Sequence, residues 1–429
     1  MTTTGNMVQG VPTPGSSLRT SRGKVLFGAT VLSLAALVSS RGTARADGFR
    51  LPNQDPEAIA RGNAFVATAD NPSAIYYNPA GITQLEGQNV SAGLYVISTG
   101  GKFEGANGAT AETDRGFTEV PQFYYVNSLT NYPISFGVGV YVPYGLGIDY
   151  RDPSFRNVAQ NGNLLYATIN PVIAWKINPQ LSIAAGPTIN YSKVQFNQGV
   201  VADPDRLHLV GDDYDLGFNA GVHYQPFKMW SFGVNYHSET TMDYKGHSTV
   251  SGTSFLGPFA FDGSNPLSAK VRFPQYAVGG ISFRPTENWN IEFDLDWTDW
   301  SETKQISVNG NLGASGAPIP SLPLNYRSSF MYDFGVTRKF GKGWFVSVGY
   351  IYSENSSPDA NYTPIIPDSD LHLFNAGFGH HGEHWGWAFS YTVAVNPSRQ
   401  VANSSYGPSV DGDYRTINNA FNGSVSYKF

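Results

Sequence analysis

The chain has 429 residues, 41% hydrophobic, 14% aromatic and only 14% charged, with a formal charge of −6 and no cysteine. Soluble domains carry roughly 25% charged residues, so this chain is poor in charge, and its 25 tyrosines and 27 phenylalanines argue against disorder. The lack of cysteine excludes disulfides, thiolate metal sites and cysteine nucleophiles. A helical membrane bundle needs several apolar runs of about 20 residues, and only Val25 to Ser40 comes near that length.

That run follows Arg19, Arg22 and Lys24 and precedes Ala44-Arg45-Ala46, an A-x-A cleavage pattern. Residues 1–46 therefore read as a cleaved signal peptide. Its removal takes away five basic residues and no acidic ones, deepening the formal charge from −6 to −11. Such an acidic chain is unsuited to nucleic acid.

Residues 47–87 do not alternate in polarity and are dense in capping and turn residues, among them Asp70-Asn71-Pro72 and Asn78-Pro79-Ala80-Gly81. Ile59, Phe65, Val66, Ile75, Tyr76 and Tyr77 make the segment too apolar for a solvated tail. It is expected to be a helical or irregular hatch.

From residue 88 to 429 the dominant period is two. Trp385, Trp387, Phe389 and Tyr391 share one face while Gly386, Ala388, Ser390 and Thr392 share the other. Fourteen strands are predicted, and the connections after even-numbered strands are short, as at Asn178-Pro179-Gln180 and Pro285-Thr286. Those after odd-numbered strands are long, as at 243–268 and 301–325. Short turns at one end and long loops at the other mark an outer-membrane barrel. The expected fold is all-β, a 14-stranded antiparallel transmembrane β-barrel holding the hatch in its lumen. An even strand count brings both barrel ends to the periplasmic side, and a lumen this wide needs a plug.

Four stretches, in order, carry a resemblance: Gly62 to Phe65 with Asp70 to Gly81, Ser135 to Gly145 on the third strand, Asp296 to Ser301 ending the ninth, and Ile366 to Asp370 before the twelfth. They resemble the FadL family of outer-membrane long-chain fatty acid and hydrocarbon transporters. The resemblance implies passive uptake without covalent chemistry or a cofactor, and a hatch that shifts near Asn78, Pro79 and Ala80. It also implies a lateral opening beside a kinked third strand, here at Gly137, Gly139, Pro143 and Gly145. Glycine and proline suit a kink independently, since glycine weakens a strand and proline cannot donate to the ladder.

Phe255, Leu256, Phe259, Phe261, Leu322 and Leu324 in the long loops are candidates for capturing a hydrophobic ligand. Parity turns Glu292, Asp294 and Asp296 inward on the ninth strand. It does the same for Arg272 and Arg327 on the eighth and tenth, if Val271, Phe273, Tyr326 and Phe330 face lipid. The arginines would either hold a ligand carboxylate or neutralise the acidic strand. His380, His381 and His384 sit in a predicted turn and suggest no metal, and His223 and His237 are expected to pack in the lumen. Expected partners are a long-chain fatty acid or another hydrophobic small molecule, outer-membrane lipids and lipopolysaccharide. The C-terminal Ser426-Tyr427-Lys428-Phe429 adds the barrel assembly machinery, and the default is a monomer. Neutral aromatic or alkane hydrocarbons are the alternative cargo; an acyl hydrolase, an adhesin and a structural barrel are the competing classes.

Overall fold

The computed structural model describes residues 1–2 and 48–429, apart from 107, 114, 115, 151–154 and 159. Beyond its first two residues, the expected signal peptide lies outside the described residues. Fourteen antiparallel strands build a wall. They are β1 (Gly87–Ser98), β2 (Thr118–Ser128), β3 (Ile134–Asp149), β4 (Asn161–Asn178), β5 (Leu181–Gln198) and β6 (Arg206–Phe227). Then come β7 in two pieces (Trp230–His237, Thr240–Ser251), β8 in two pieces (Gly263–Phe273, Tyr276–Thr286), β9 (Trp289–Thr298) and β10 (Ser329–Lys339). β11 (Trp344–Ser353), β12 (Leu371–His381), β13 (Trp385–Val401) and β14 (Gly412–Lys428) complete it. β1 pairs with β14 from Asn89↔Lys428 to Ser98↔Asn419, so the wall has no open edge. In hydrocarbon an edge would leave a row of backbone groups without partners.

Side chains alternate as a membrane barrel requires. On β13 Trp385, Phe389 and Tyr391 are exposed on the outer surface, while Ala388, Ser390 and Thr392 are buried inward. Short turns join β2 to β3, β4 to β5, β6 to β7, β8 to β9, β10 to β11 and β12 to β13, and the long loops lie at the other end.

Residues 48–86 contribute no wall strand and are almost wholly buried. Two short helices form here, α1 (Pro56–Ala60) and α2 (Ala74–Tyr77), followed by a 3-10 turn, Pro79–Gln84. Asp55 starts α1 by accepting from the backbone N–H of Glu57 (3.0 Å) and Ala58 (3.3 Å), with Pro56 at the first position, where its missing N–H costs nothing. Asn78 caps the 3-10 turn by accepting from the Ala80 N–H at 3.2 Å. Apolar burial holds the segment in place. Tyr76 packs edge-on to Tyr77 (4.9 Å) and to Tyr141 of β3 (5.0 Å), and Phe65 packs on Tyr77 (5.4 Å).

The wall yields side chains where the hatch presses on it. A Cβ on Gly233 would lie 2.0 Å from the Val66 carbonyl oxygen. Gly335 and Gly349, direct partners across β10 and β11, would place theirs 2.1 Å from the Arg61 backbone. A valine suits the strands but not the hatch. Gly349→Val is therefore expected to leave a folded barrel, seen as retained heat-modifiable mobility in detergent, whose hatch is cut by protease under conditions that spare the parent.

Candidate functional site: a broken seam and the hatch that closes it

The ladder between β2 and β3 runs from Ser128↔Ser135 to Phe123↔Val140 and stops. Above it Thr118–Gln122 keep their β1 partners, while β3 turns away with a one-residue shift against β4 between Tyr141 and Tyr144. A bulge bends a strand, and Pro143 has no N–H to leave unpaired. The freed groups of β3 bond to the start of the hatch. Leu51 donates its N–H to the Pro143 carbonyl (2.8 Å), Gly145 donates to that of Phe49 (3.0 Å), and Gln54 Nε2 donates to that of Val142 (2.7 Å). Gly137, Gly139 and Gly145 admit hatch side chains: a Cβ on them would lie 2.8–2.9 Å from Ile75 or Leu51.

Behind the broken seam is a cavity of about 710 Å³. Its lining includes Leu51 from the hatch, Ile97, Val120, Ile351 and Ala420 from the inner wall, and Val140 and Leu165, whose side chains belong to the outer face at 39% and 43% exposure. The lining therefore draws on inner-wall residues and on outer-face residues of β3 and β4 beside the break. Arg50, Lys102, Asp368 and Arg415 are among the charged groups on its boundary.

The acidic strand faces inward, with Glu292, Asp294 and Asp296 no more than 3% exposed. Its partners are in the hatch. Asp294 Oδ2 accepts from the N–H groups of Phe65 (2.8 Å) and Val66 (2.9 Å), and Glu292 Oε1 from those of Ala67 (2.7 Å) and Thr68 (3.1 Å). Arg50 pairs with Asp296 at 2.8 Å and lies over the Tyr276 ring at 3.7 Å. Arg61 lies 3.8 Å from Glu292 and donates to Thr337 Oγ1 at 2.7 Å. Asn78 Nδ2 ties the hatch to β6, donating to the carbonyls of Val66 (2.8 Å) and Val222 (2.9 Å).

Neither predicted carboxylate partner reaches the lumen. Arg272 is on the outer surface, half exposed and paired with Glu302 at 2.8 Å, while Val271 and Phe273 are the buried residues. The cause is the break at Pro274-Gln275: Phe273 and Tyr276 both point inward although three residues apart, so parity inverts between the two pieces of β8. Arg327 precedes β10, which begins at Ser329, and is exposed, while Tyr326 is buried inside. Leu324, expected at the surface, is fully buried and Leu322 half-buried against the same upper core. Phe255 and Phe259 are exposed on the 3-10 stretch Thr253–Phe259, with Leu256 and Phe261 half-buried.

His223 and His237 are buried, their Nε2 atoms 3.0 and 3.2 Å from the Ala67 and Tyr76 carbonyls of the hatch. Among the described residues no group of three or more His, Asp or Glu side chains converges as a metal-ligand set. Arg50 and Arg61 were not singled out from the sequence. Their signal was available, since they are the only basic residues between 48 and 87 in a segment otherwise suited to burial.

Three of the four stretches that carry the family resemblance come together around residues 48–51. Pro143 and Gly145 bond to Leu51 and Phe49, Trp300 packs on Phe49 at 4.7 Å, Asp296 holds Arg50, and Asp368 Oδ1 accepts from the Gly48 N–H at 3.3 Å. The model of a family described as outer membrane protein transport protein (OMPP1/FadL/TodX) matches residues 35–429. The chain belongs to this family. The long-chain fatty acid transport protein of Escherichia coli O6:H1 is 25% identical over 398 residues, covering 82% of this chain and 87% of the relative. A Pseudomonas aeruginosa FadL homologue of known crystal structure superposes with a TM-score of 0.78 at 18% identity, covering 89% of this chain and all of that one. The Ralstonia pickettii toluene transporter TbuX gives a TM-score of 0.68 at 18% identity, with 88% and 99% covered. Like other FadL family members, this chain is an outer-membrane transporter of hydrophobic compounds and not an enzyme.

Two outcomes follow from these contacts. Glu292→Ala strands the buried N–H groups of Ala67 and Thr68, each costing about 1–3 kcal/mol. Amide exchange in residues 65–70 should then rise more than tenfold while exchange in β12–β14 is unchanged. The second outcome concerns the loop before β12, where Asp368 Oδ2 accepts from the N–H groups of Ser356 (2.7 Å) and Ser357 (3.0 Å). Burial pushes this carboxyl up to about 7, against the Arg399 guanidinium and the serine donors. An unfolded aspartate titrates near 3.9, so stabilisation is complete only below that value and is lost as pH rises through about 7. Exchange at Ser356 and Ser357 should rise more steeply with pH than the intrinsic chemical rate between about pH 5 and about pH 8, and Asp368→Asn should abolish the extra slope.

Proposed function

We propose that the barrel takes up long-chain fatty acids passively and releases them sideways into the bilayer. The observation that carries this reading is the apolar cavity beside the interrupted β2–β3 seam. An acyl chain gains about 0.8 kcal/mol per buried methylene, so a greasy route avoids a steep hydration barrier that a water-filled pore would impose. In this reading exposed Phe255 and Phe259 collect the ligand at the loops, and the cavity holds it. Displacement of the hatch around Asn78, Pro79 and Ala80 then frees the path past Gly137, Gly139, Pro143 and Gly145. The residues supporting carboxylate recognition are Lys102 and Arg415, directly opposite each other in the register of the Gly101–Gly105 ribbon and β14. Like charges so placed repel, and an anionic head between them would relieve that. Outer-membrane lipid and lipopolysaccharide around the aromatic outer face, and recognition of the strand ending in Phe429 by the assembly machinery, belong to the same reading.

A second cargo, neutral aromatic or alkane hydrocarbon, is favoured by one feature. The cavity's cations already have carboxylates: Arg50 has Asp296 (2.8 Å), Lys102 has Glu112 (2.7 Å) and Arg415 has Asp413 (3.0 Å). Binding of a fluorescent long-chain fatty acid to the purified barrel, competed with toluene or an alkane, separates the two. Saturable binding that neutral compounds fail to displace is the expected result; efficient displacement would give the site to hydrocarbons, and no binding would end the reading. Ala420→Phe, which fills the cavity and excludes roughly three ligand methylenes, should weaken binding by about 50-fold.

A further inference from the structure

The outer wall carries one arginine that the protein leaves without a polar partner. Among the described residues Arg206, Arg272, Arg284, Arg399 and Arg415, the other arginines on wall strands, each donate to a side chain. Arg338 of β10 makes no such bond and no ion pair with a described residue. Its guanidinium is held by rings instead, 5.0 Å from the centroid of Trp289 and 5.7 Å from that of Phe340. Rings at that range attract a cation through their electron-rich faces. They offer no lone pair to the N–H donors along the guanidinium edge.

Direction and height decide what can meet those donors. On β10 Asp333, Gly335 and Thr337 turn inward and are buried, so Arg338 shares the lipid-facing side with Phe334 and Val336. Its register partners, Trp289 of β9 and Val346 of β11, are exposed on that side too. Phe340 begins the short turn to β11, which places Arg338 at the periplasmic margin of the apolar band, in the girdle where aromatic residues meet lipid headgroups. A charge on the lipid face is costly at mid-bilayer and tolerated at this depth. Away from the turn the outward face continues through Val336 and its partner Val348 to Phe334, an apolar track leading into the bilayer. The acid of the adjoining β8–β9 turn, Glu287, is exposed and forms no pair with Arg338.

We propose that Arg338, steadied by Trp289 and Phe340, binds the phosphodiester of a phospholipid in the periplasmic leaflet, with an acyl chain lying along Val336, Val348 and Phe334. The edge of a guanidinium presents paired N–H donors that match two phosphate oxygens, which the point charge of an ammonium does not. Stacking on the rings holds the side chain in place beforehand, so less freedom is lost on binding. The site narrows the proposed contact with outer-membrane lipid to one residue and one leaflet. It lies on the outer face rather than in the cavity, and it is independent of what the barrel carries.

Native mass spectrometry of the purified barrel in detergent tests this, with phosphatidylglycerol and then phosphatidylethanolamine added, since the two share the phosphodiester. One phospholipid should bind the parent, and Arg338→Gln should bind it about tenfold more weakly. Arg338→Lys, which keeps the charge but not the fork, should fall between the two. Lys342→Gln removes an exposed cation from the next turn and should stay within about twofold of the parent. Diacylglycerol, which has no phosphate, should bind the parent and Arg338→Gln alike, and excess inorganic phosphate should not displace the phospholipid. Retained heat-modifiable mobility shows that each variant is folded. Equal phospholipid affinity in the parent and Arg338→Gln would overturn the proposal, as would an equal loss in Lys342→Gln, which would reduce the effect to general surface charge. Displacement by inorganic phosphate would also overturn it, by giving the guanidinium to a soluble anion. Arg338→Gln should bind fatty acid like the parent, so failure here is distinguishable from failure of the transport reading.

Discussion

Every backbone N–H and C=O in contact with lipid must find a partner within the protein, and the molecule's organisation follows from how it meets that demand. Closure of β1 on β14 meets it around the circumference. At the β2–β3 seam the ladder is given up, and the demand passes to residues 49–54, which supply donors and acceptors that β2 no longer gives. Wall and hatch are thus one hydrogen-bonded system. The hatch both fills the lumen and serves as the missing partner of the kinked strand.

The hatch is held by two kinds of interaction with different responses. Tyrosine and aliphatic packing around Ile75, Tyr76 and Phe65 is insensitive to salt and pH and scales with area. The carboxylates of β9 instead hold backbone N–H groups, which are directional and lost together once the segment moves. Packing makes the seated position favourable. The buried polar contacts make it specific.

Much of the architecture was legible because alternation, turn length and strand count are imposed by the bilayer itself. Parity on β13 and on the acidic strand matched the structure residue by residue. It failed where the wall stops being continuous: one parity for the whole eighth strand sets Val271 and Phe273 towards lipid, but the side inverts at the break at Pro274-Gln275, and Arg272 is the residue turned outward. Arg327 was misplaced because it precedes β10, so the strand's parity does not reach it, and Leu324 because the loop before β10 buries residues that composition alone assigns to solvent. The acids were oriented correctly but matched to the wrong cations. Their partners are backbone N–H groups more than 220 positions away, which no local pattern announces.

The glycines at 233, 335 and 349 bear on the order of assembly. They are recesses distributed over three strands, and each is shaped only when those strands stand side by side. The segment that fits them lies N-terminal to every one of those strands, and its ties reach as far as His381, 324 positions from Glu57. So the hatch emerges first and is seated last. Until then its apolar residues have no lumen to enter, which makes these forty or so positions the part of the nascent chain most in need of a chaperone during its passage to the membrane.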